Sequence, residues 1–353
     1  MTDHVIDLRS DTLSLPTDEM LRAILTAKLG DDSRDGDPTV LELEALAASM
    51  LGKEAAMMTV SGTMSNLVAM RTLVEPGATA VVEASAHLYG MEFGGIAAAA
   101  SLLVLPVPGR HGAMDPAALR VAVKKSKLSF PASGLLCLEN THNGAGGTAI
   151  PVEHMELCAA IAREQGLKVH LDGARIFNAA VALGVDAARI AACADTVSFC
   201  LSKGLSAPVG SLLCGSAAFI KRARAVRRAL GGTLRQGGII AAPGLVALRT
   251  MVSRLAEDHA NARAFAERVA AIDGLSVDLE SVQSNIVNVD VAGLGVDAAT
   301  FARHLEALKV RGLPGIGSVV RFVTYRGITR ADVERAAEAV AEVVAAPPWA
   351  AAV

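Results

Sequence analysis

Thr196-Val-Ser-Phe-Cys-Leu-Ser-Lys203 runs directly into Gly204-Leu-Ser-Ala-Pro-Val-Gly-Ser211. The alternating, strand-like residues stop at a Ser-Lys-Gly step, which leaves a lysine at the C-terminal edge of a buried strand. An ammonium there is partly desolvated, so its pKa can fall and its amine can attack a carbonyl, as a Schiff-base lysine must. A lysine that merely ends a strand and points to water would show the same local sequence. Upstream, Leu167-Lys-Val-His-Leu-Asp172-Gly-Ala-Arg175 is a second short apolar run, and its terminal carboxylate lies 31 residues before Lys203.

About thirty residues make one strand, one crossover helix and the next strand. Asp172 and Lys203 are therefore expected at one edge of a parallel sheet, where open α/β sheets bind ligands. A buried carboxylate near a lysine suits pyridoxal phosphate, which needs a lysine Schiff base and an acidic partner for its ring nitrogen. Asp172 could also serve only as the cap of a helix beginning near Gly173.

Working outward, strands are expected at Thr79–Val82, Leu102–Pro106, Leu135–Glu139, Leu167–Asp172 and Thr196–Leu201, with helices such as Met155–Glu164 between them. That alternation predicts an α/β fold with a mostly parallel central sheet wrapped by helices. Past Gly231 the pattern changes to long helices at Ile239–Leu255 and His259–Ile272, then to short strands at Leu275–Val277, Ile286–Val291 and Ser318–Val323. Helices at Thr300–Leu308 and Arg330–Val344 flank them. At 353 residues the chain exceeds one ordinary core. The expected division is a large domain over 1–250, including an N-terminal arm, and a smaller α+β domain over 251–353.

Ser61-Gly62-Thr63 precedes an apolar helix at Leu67–Val74 and offers hydroxyls, free amides and the positive helix end to an anion, although an ordinary helix cap reads the same way. His87 and Glu139-Asn-Thr-His142-Asn143 fall just beyond strand ends. Each histidine alone reads as a turn residue; their shared edge with Asp172 and Lys203 favours a site.

Hydrophobic residues make up 52% of the chain, but the most apolar stretch, Gly95–Val107, is broken by Pro106 and reads as a buried helix followed by a strand. The start Met1-Thr-Asp-His-Val-Ile-Asp lacks the pattern of a secretory signal, and the expectation is a cytoplasmic protein with no membrane partner. Five cysteines without paired spacing suggest reduced thiols and no metal site. A net charge of −3 gives no general field for nucleic acid. The basic run Lys221–Arg228 reads first as a solvated helix face.

Taken together, Asp7-Leu-Arg-Ser-Asp-Thr12, Gly30-Asp-Asp with Asp37-Pro-Thr-Val40, Ser61-Gly-Thr63, Glu139-Asn-Thr-His-Asn143, Asp172-Gly-Ala-Arg-Ile-Phe-Asn178, Leu201-Ser-Lys-Gly-Leu205 and Arg235-Gln236 resemble the L-threonine aldolases. These are pyridoxal phosphate enzymes of fold type I, the aspartate aminotransferase fold, within the β-eliminating lyase group. The resemblance runs from about residue 5 to about residue 345. It implies cleavage of a β-hydroxy-α-amino acid to glycine and an aldehyde, by a homotetramer whose active sites are shared between subunits.

By this resemblance Lys203 carries the cofactor, Asp172 holds its ring nitrogen protonated and His87 stacks on its face. Ser61, Gly62 and Thr63 bind the phosphate, with Arg235 and Arg228 reaching in from a neighbouring subunit. Ser10, Arg175 and Arg321 hold the substrate carboxylate, for which a planar guanidinium is suited. His142, directly or through a water, is the expected base for the β-hydroxyl proton. Two departures bear on substrate choice. Arg34 stands where many members carry Tyr, with Asp35 and Gly36 altered beside it, and Tyr325-Arg326 stand where His is common. Arg34 could favour an anionic substituent or could simply pair within its acidic loop. Other pyridoxal phosphate reactions on the same scaffold, namely racemisation, β-elimination and glycine transaldolation, compete with the aldolase reading, as does a binding protein without turnover.

Overall fold

The computed structural model describes residues 4–128, 134–315 and 317–346. Seven strands lie side by side in the order Ala55–Thr59, Ser211–Gly215, Thr196–Cys200, Lys168–Asp172, Gly134–Glu139, Thr79–Glu83 and Leu103–Val107. Ser211–Gly215 is antiparallel to both its neighbours, and the other adjacent pairs are parallel. The inner strands are buried on both faces, which is why they read as short apolar runs bounded by turns.

The strands Ala55–Thr59 and Ser211–Gly215 have no counterpart among the sequence-based strands. Their Ala, Met, Leu and Cys content is as compatible with buried helix as with strand. Leu275–Val277, expected as a strand, contributes only an isolated bridge between Ser276 and Asp290. Register explains where the polar residues gather. Glu139 pairs with Asp172 and Asp172 with Ser198, while His170 pairs with Thr196. Carboxylates and hydroxyls from three adjacent strands thus meet at the C-terminal edge of the sheet, the side on which open α/β sheets bind ligands.

The two expected helices after Gly231 form one continuous helical run, Gly238–Ala270, with a π-turn at Ala247–Met251. Part of this run is apolar enough to span a membrane by length and composition, but 56% of that stretch is buried within the fold, as befits a core helix. Its first half packs on the core formed around Val169, Leu171, Val197 and Phe199. Its second half supplies Phe265 to a separate core with Phe301 and Phe322, where the Phe265 and Phe322 rings lie 4.8 Å apart.

The N-terminal arm joins this second core through Ile6 and Leu8 rather than the first. Ile6–Asp7 pairs in parallel with Val310–Arg311, and the Tyr325 hydroxyl donates to the Asp7 carbonyl at 2.8 Å. Fixed in this way, the arm delivers Ser10 and Asp11 to the gap between the two cores.

Candidate active site

A cavity of about 240 Å³ opens at the sheet edge, lined by Ser61, Gly62, Thr63, Asn66, His87, Glu92, Asp172, Ala174, Cys200, Ser202 and Lys203. Each element contributes for a local reason. Lys203 follows the strand Thr196–Cys200 in a turn closed by the Ser206 amide donating to the Lys203 carbonyl at 2.8 Å. Ser61 caps the helix Gly62–Leu73, its hydroxyl accepting from the Met64 amide at 3.2 Å, so the helix begins at the cavity wall with free amides and the positive end of its dipole. Gly62 is required by closeness, since a Cβ there would lie 2.8 Å from the Cys200 sulfur.

Asp172 is buried at its strand end. Its Oδ1 accepts from the Ala174 amide at 3.1 Å and its Oδ2 from the Asn66 side-chain amide at 3.0 Å. The His87 Nδ1 lies 3.2 Å from the Glu92 Oε1, a contact that raises the His87 pKa above its usual value, and burial acts against it. The His87 Nε2 makes no hydrogen bond among the described residues. Glu139 accepts the His87 and Asn143 backbone amides, both at 2.7 Å, and so ties together two loops that flank the cavity. Burial pushes the Glu139 pKa upward.

Beside the cavity stand two guanidiniums. Arg175 is buried and gripped on two sides by Asp11, with Nε to Oδ2 and Nη2 to Oδ1 both at 2.7 Å. Burial alone would raise the Asp11 pKa, but Arg175, assisted by Lys203 and Asn285, brings it down to about 2. Among the described residues Arg321 has no such partner. Its Nη1 donates to Asn143 Oδ1 at 3.1 Å, an oxygen it shares with Arg175 at 3.2 Å, and its buried Nε is unpaired. Burial and the adjacent Arg175 charge lower the Arg321 pKa to about 10, against the pull of Asp11. A carboxylate would satisfy that guanidinium and relieve the repulsion between the two cations.

Several expected residues lie elsewhere. His142 is 1% exposed and does not line the cavity. Its Nδ1 accepts from the Ala145 amide at 3.2 Å, its Nε2 lies 3.1 Å from Glu83 Oε2 without the alignment of a hydrogen bond, and its ring packs on Gly112. Burial would lower the His142 pKa, but Glu83 and Glu139 outweigh it and raise it. Arg34 is 79% exposed and sits 3.7 Å from Asp31. Arg235 contacts Ser33 and lies 3.7 Å from Asp31. Arg228 is exposed in the last turn of the helix Ala217–Ala229, whereas its neighbour Arg227 is buried on Asp32 at 2.7 Å. Ser10 caps the short turn Asp11–Leu13.

Sequence reasoning missed Asn66, Glu92 and Asp11. Each had a signal. Asn66 sits in the first turns after the anion-binding motif, Glu92 is the only charge between Glu83 and Arg110, and Asp11 belongs to an arm whose polar end has no local explanation.

The residues present fit pyridoxal phosphate. Lys203 and a buried carboxylate share one cavity with a helix N-terminus, and the glycine at that terminus lets the helix start pack closely on Cys200. A family model described as beta-eliminating lyase matches residues 7–292. A probable low-specificity L-threonine aldolase of Arabidopsis thaliana is 41% identical, over 94% of this chain and 95% of that one. The low specificity L-threonine aldolase of Escherichia coli K12 is 39% identical, over 92% and 95%. The structure of a threonine aldolase from Leishmania major superposes with a TM-score of 0.80 at 18% identity, covering 96% of this chain and 99% of that one, a likeness of fold. With its fold and most of its length matched in this way, the chain belongs to the beta-eliminating lyase family, as a pyridoxal phosphate-dependent lyase of fold type I.

Proposed function

We propose that the protein cleaves L-threonine, L-allo-threonine or a related β-hydroxy-α-amino acid between Cα and Cβ, releasing glycine and an aldehyde. The observation that carries this reading is the pairing of the Lys203 and Asp172 cavity with an adjacent guanidinium, Arg321, that lacks an anionic partner among the described residues. Pyridoxal phosphate, when bound, supplies a carbonyl for the substrate amine and a ring that withdraws the electron pair left at Cα.

The chain's own groups do the rest. Lys203 holds the cofactor covalently, Asp172 accepts the ring N–H, and Ser61, Gly62 and Thr63 take the phosphate at the helix end. His87 flanks the ring, its Nδ1 held by Glu92. Arg321 grips the substrate carboxylate with Ser10 and Arg175, the last held in place by Asp11. A base takes the β-hydroxyl proton, the aldehyde departs, and a proton returned to Cα completes glycine.

His142 was the expected base, yet its ring is enclosed and both nitrogens face protein groups. His87 is favoured because it lines the cavity with Nε2 unengaged. Comparing His87→Asn with His142→Asn decides between them, since a lost base lowers turnover about 10²- to 10⁴-fold.

The same proposal includes a cytoplasmic homotetramer in which Arg228 and Arg235 serve a neighbouring subunit's site. The exposed Leu13, Leu15, Leu21, Leu25 and Leu29 of the N-terminal segment support a covering second copy. Two separate apolar cores support a larger and a smaller domain meeting near residue 250, with Met251 and Leu255 still in the first core and Ile6 and Leu8 of the N-terminal arm in the second.

Incubation with L-threonine and cofactor tests the reaction. Glycine and acetaldehyde in equal amounts are the expected products. Pyruvate and ammonia from serine would indicate elimination, and a D-amino acid would indicate racemisation.

A further inference from the structure

At the cavity floor lies a polar cluster, backed by His170, Thr196 and Ser198, that cofactor binding alone leaves without a role. Asn66 uses every hydrogen-bonding position of its amide. Its Nδ2 faces Asp172 Oδ2 at 3.0 Å and Glu92 Oε1 at 3.1 Å, while its Oδ1 faces Ser198 Oγ at 2.6 Å and His170 Nε2 at 3.1 Å.

The amide has only one orientation. Carboxylates accept, so the NH₂ group must point to Asp172 and Glu92 and the oxygen to Ser198 and His170, which then donate. His170 can do so as a neutral ring, because burial lowers its pKa to about 4. Its Nδ1, 2.9 Å from the Thr196 hydroxyl, then accepts from that group. Glu92 has fewer supports. Among the described residues its Oε1 meets only Asn66 and His87, and its buried Oε2 has no partner.

We propose that Asn66 is a positioning residue whose single amide ties the Asp172 carboxylate to the Glu92–His87 pair, so that the partner of the ring nitrogen and the imidazole beside the ring are set together. This rests on pyridoxal phosphate occupying the cavity. If the tie holds, a change at Glu92 is transmitted to the cofactor partly through Asn66, and the two residues are energetically coupled.

A double-mutant cycle on the full chain tests this with the wild type, Asn66→Ala, Glu92→Gln and the double variant. Two readouts are taken: the Kd for pyridoxal phosphate added to cofactor-free protein, and the pH midpoint of the bound cofactor's absorbance. Asn66→Ala should weaken binding about ten- to a hundredfold, the scale of a hydrogen bond to a charged group. The double variant should depart from the product of the single effects by about threefold or more. Glu92→Gln should shift the absorbance midpoint more in the wild type than in Asn66→Ala.

Effects that multiply to within about twofold, with equal midpoint shifts in both backgrounds, would overturn the proposal and leave the cofactor site standing. A wild-type chain that binds no pyridoxal phosphate would remove both. If Asn66→Ala fails to fold, Asn66→Ser takes its place, since it removes the amide that makes the tie and keeps one hydroxyl in the cluster. The same departure from multiplicativity is then expected, and its absence is equally decisive.

Discussion

The cavity floor and the guanidinium pair beside it solve opposite problems. At the floor, both oxygens of Asp172 accept a hydrogen bond and all four positions of the Asn66 amide are used. At the pair, Arg175 is neutralised by Asp11, but Arg321 keeps an unpaired Nε and shares one amide oxygen with a like charge. A network whose Asp172 and Asn66 are fully engaged suits a cofactor that stays through every turnover, because its partners are held before it arrives. An incomplete one suits a substrate that comes and goes, because the missing anion is what the substrate brings. The contrast therefore separates residues whose loss damages the protein from residues whose loss damages only substrate capture.

The sharpest way to break the contrast is Asp11→Ala, which strips the buried partner from Arg175. An uncompensated buried cation should cost about 3 to 5 kcal/mol of stability, measured by chemical denaturation of the cofactor-free protein. Arg321→Leu should leave stability nearly unchanged, since no ion pair is broken. It should instead lower kcat/KM for threonine about ten- to a hundredfold, the worth of one charge-assisted hydrogen bond of about 1.5 to 3 kcal/mol, with cofactor affinity retained.

Acid sharpens the same comparison. The Asp11 pKa is about 2 in the folded chain and lies below its ordinary value of 3.8. Its contribution is therefore fully present above pH ~4 and is lost as pH falls towards 2. The wild type should lose about 2 kcal/mol more than Asp11→Asn across that window. The smallest effect is expected at Arg34, an exposed cation 3.7 Å from Asp31. Arg34→Tyr should change stability by less than about 1 kcal/mol. If Arg34 serves only its loop, the ratio of kcat/KM for 3-hydroxyaspartate and threonine should also stay constant.

Much of the fold was legible because buried parallel strands announce themselves as short apolar runs, and the spacing of Asp172 and Lys203 fits one strand-helix-strand unit. The strands Ala55–Thr59 and Ser211–Gly215 were not, since alanine, methionine and leucine carry little strand preference. At the site, residues inside motifs could be read from the chain. Asn66, Glu92 and Asp11 acquire their meaning only through partners up to 274 residues away, as Asp11 does with Arg175 and Asn285. His142 shows the converse. Its position beyond a strand end was read correctly, but packing on Gly112 and the proximity of Glu83 turn its ring away from the cavity. Sequence spacing fixes where a backbone emerges; the direction of a side chain depends on what packs around it.

The central claim is that Lys203 carries the cofactor in this cavity. Reduction of the yellow holoenzyme with borohydride, followed by proteolysis and mass spectrometry, tests it most directly. One modified peptide is expected, containing Leu201-Ser-Lys203-Gly-Leu205, and no such adduct in Lys203→Ala. A pyridoxyl group recovered on another lysine of the wild type, or retained in Lys203→Ala, would contradict it.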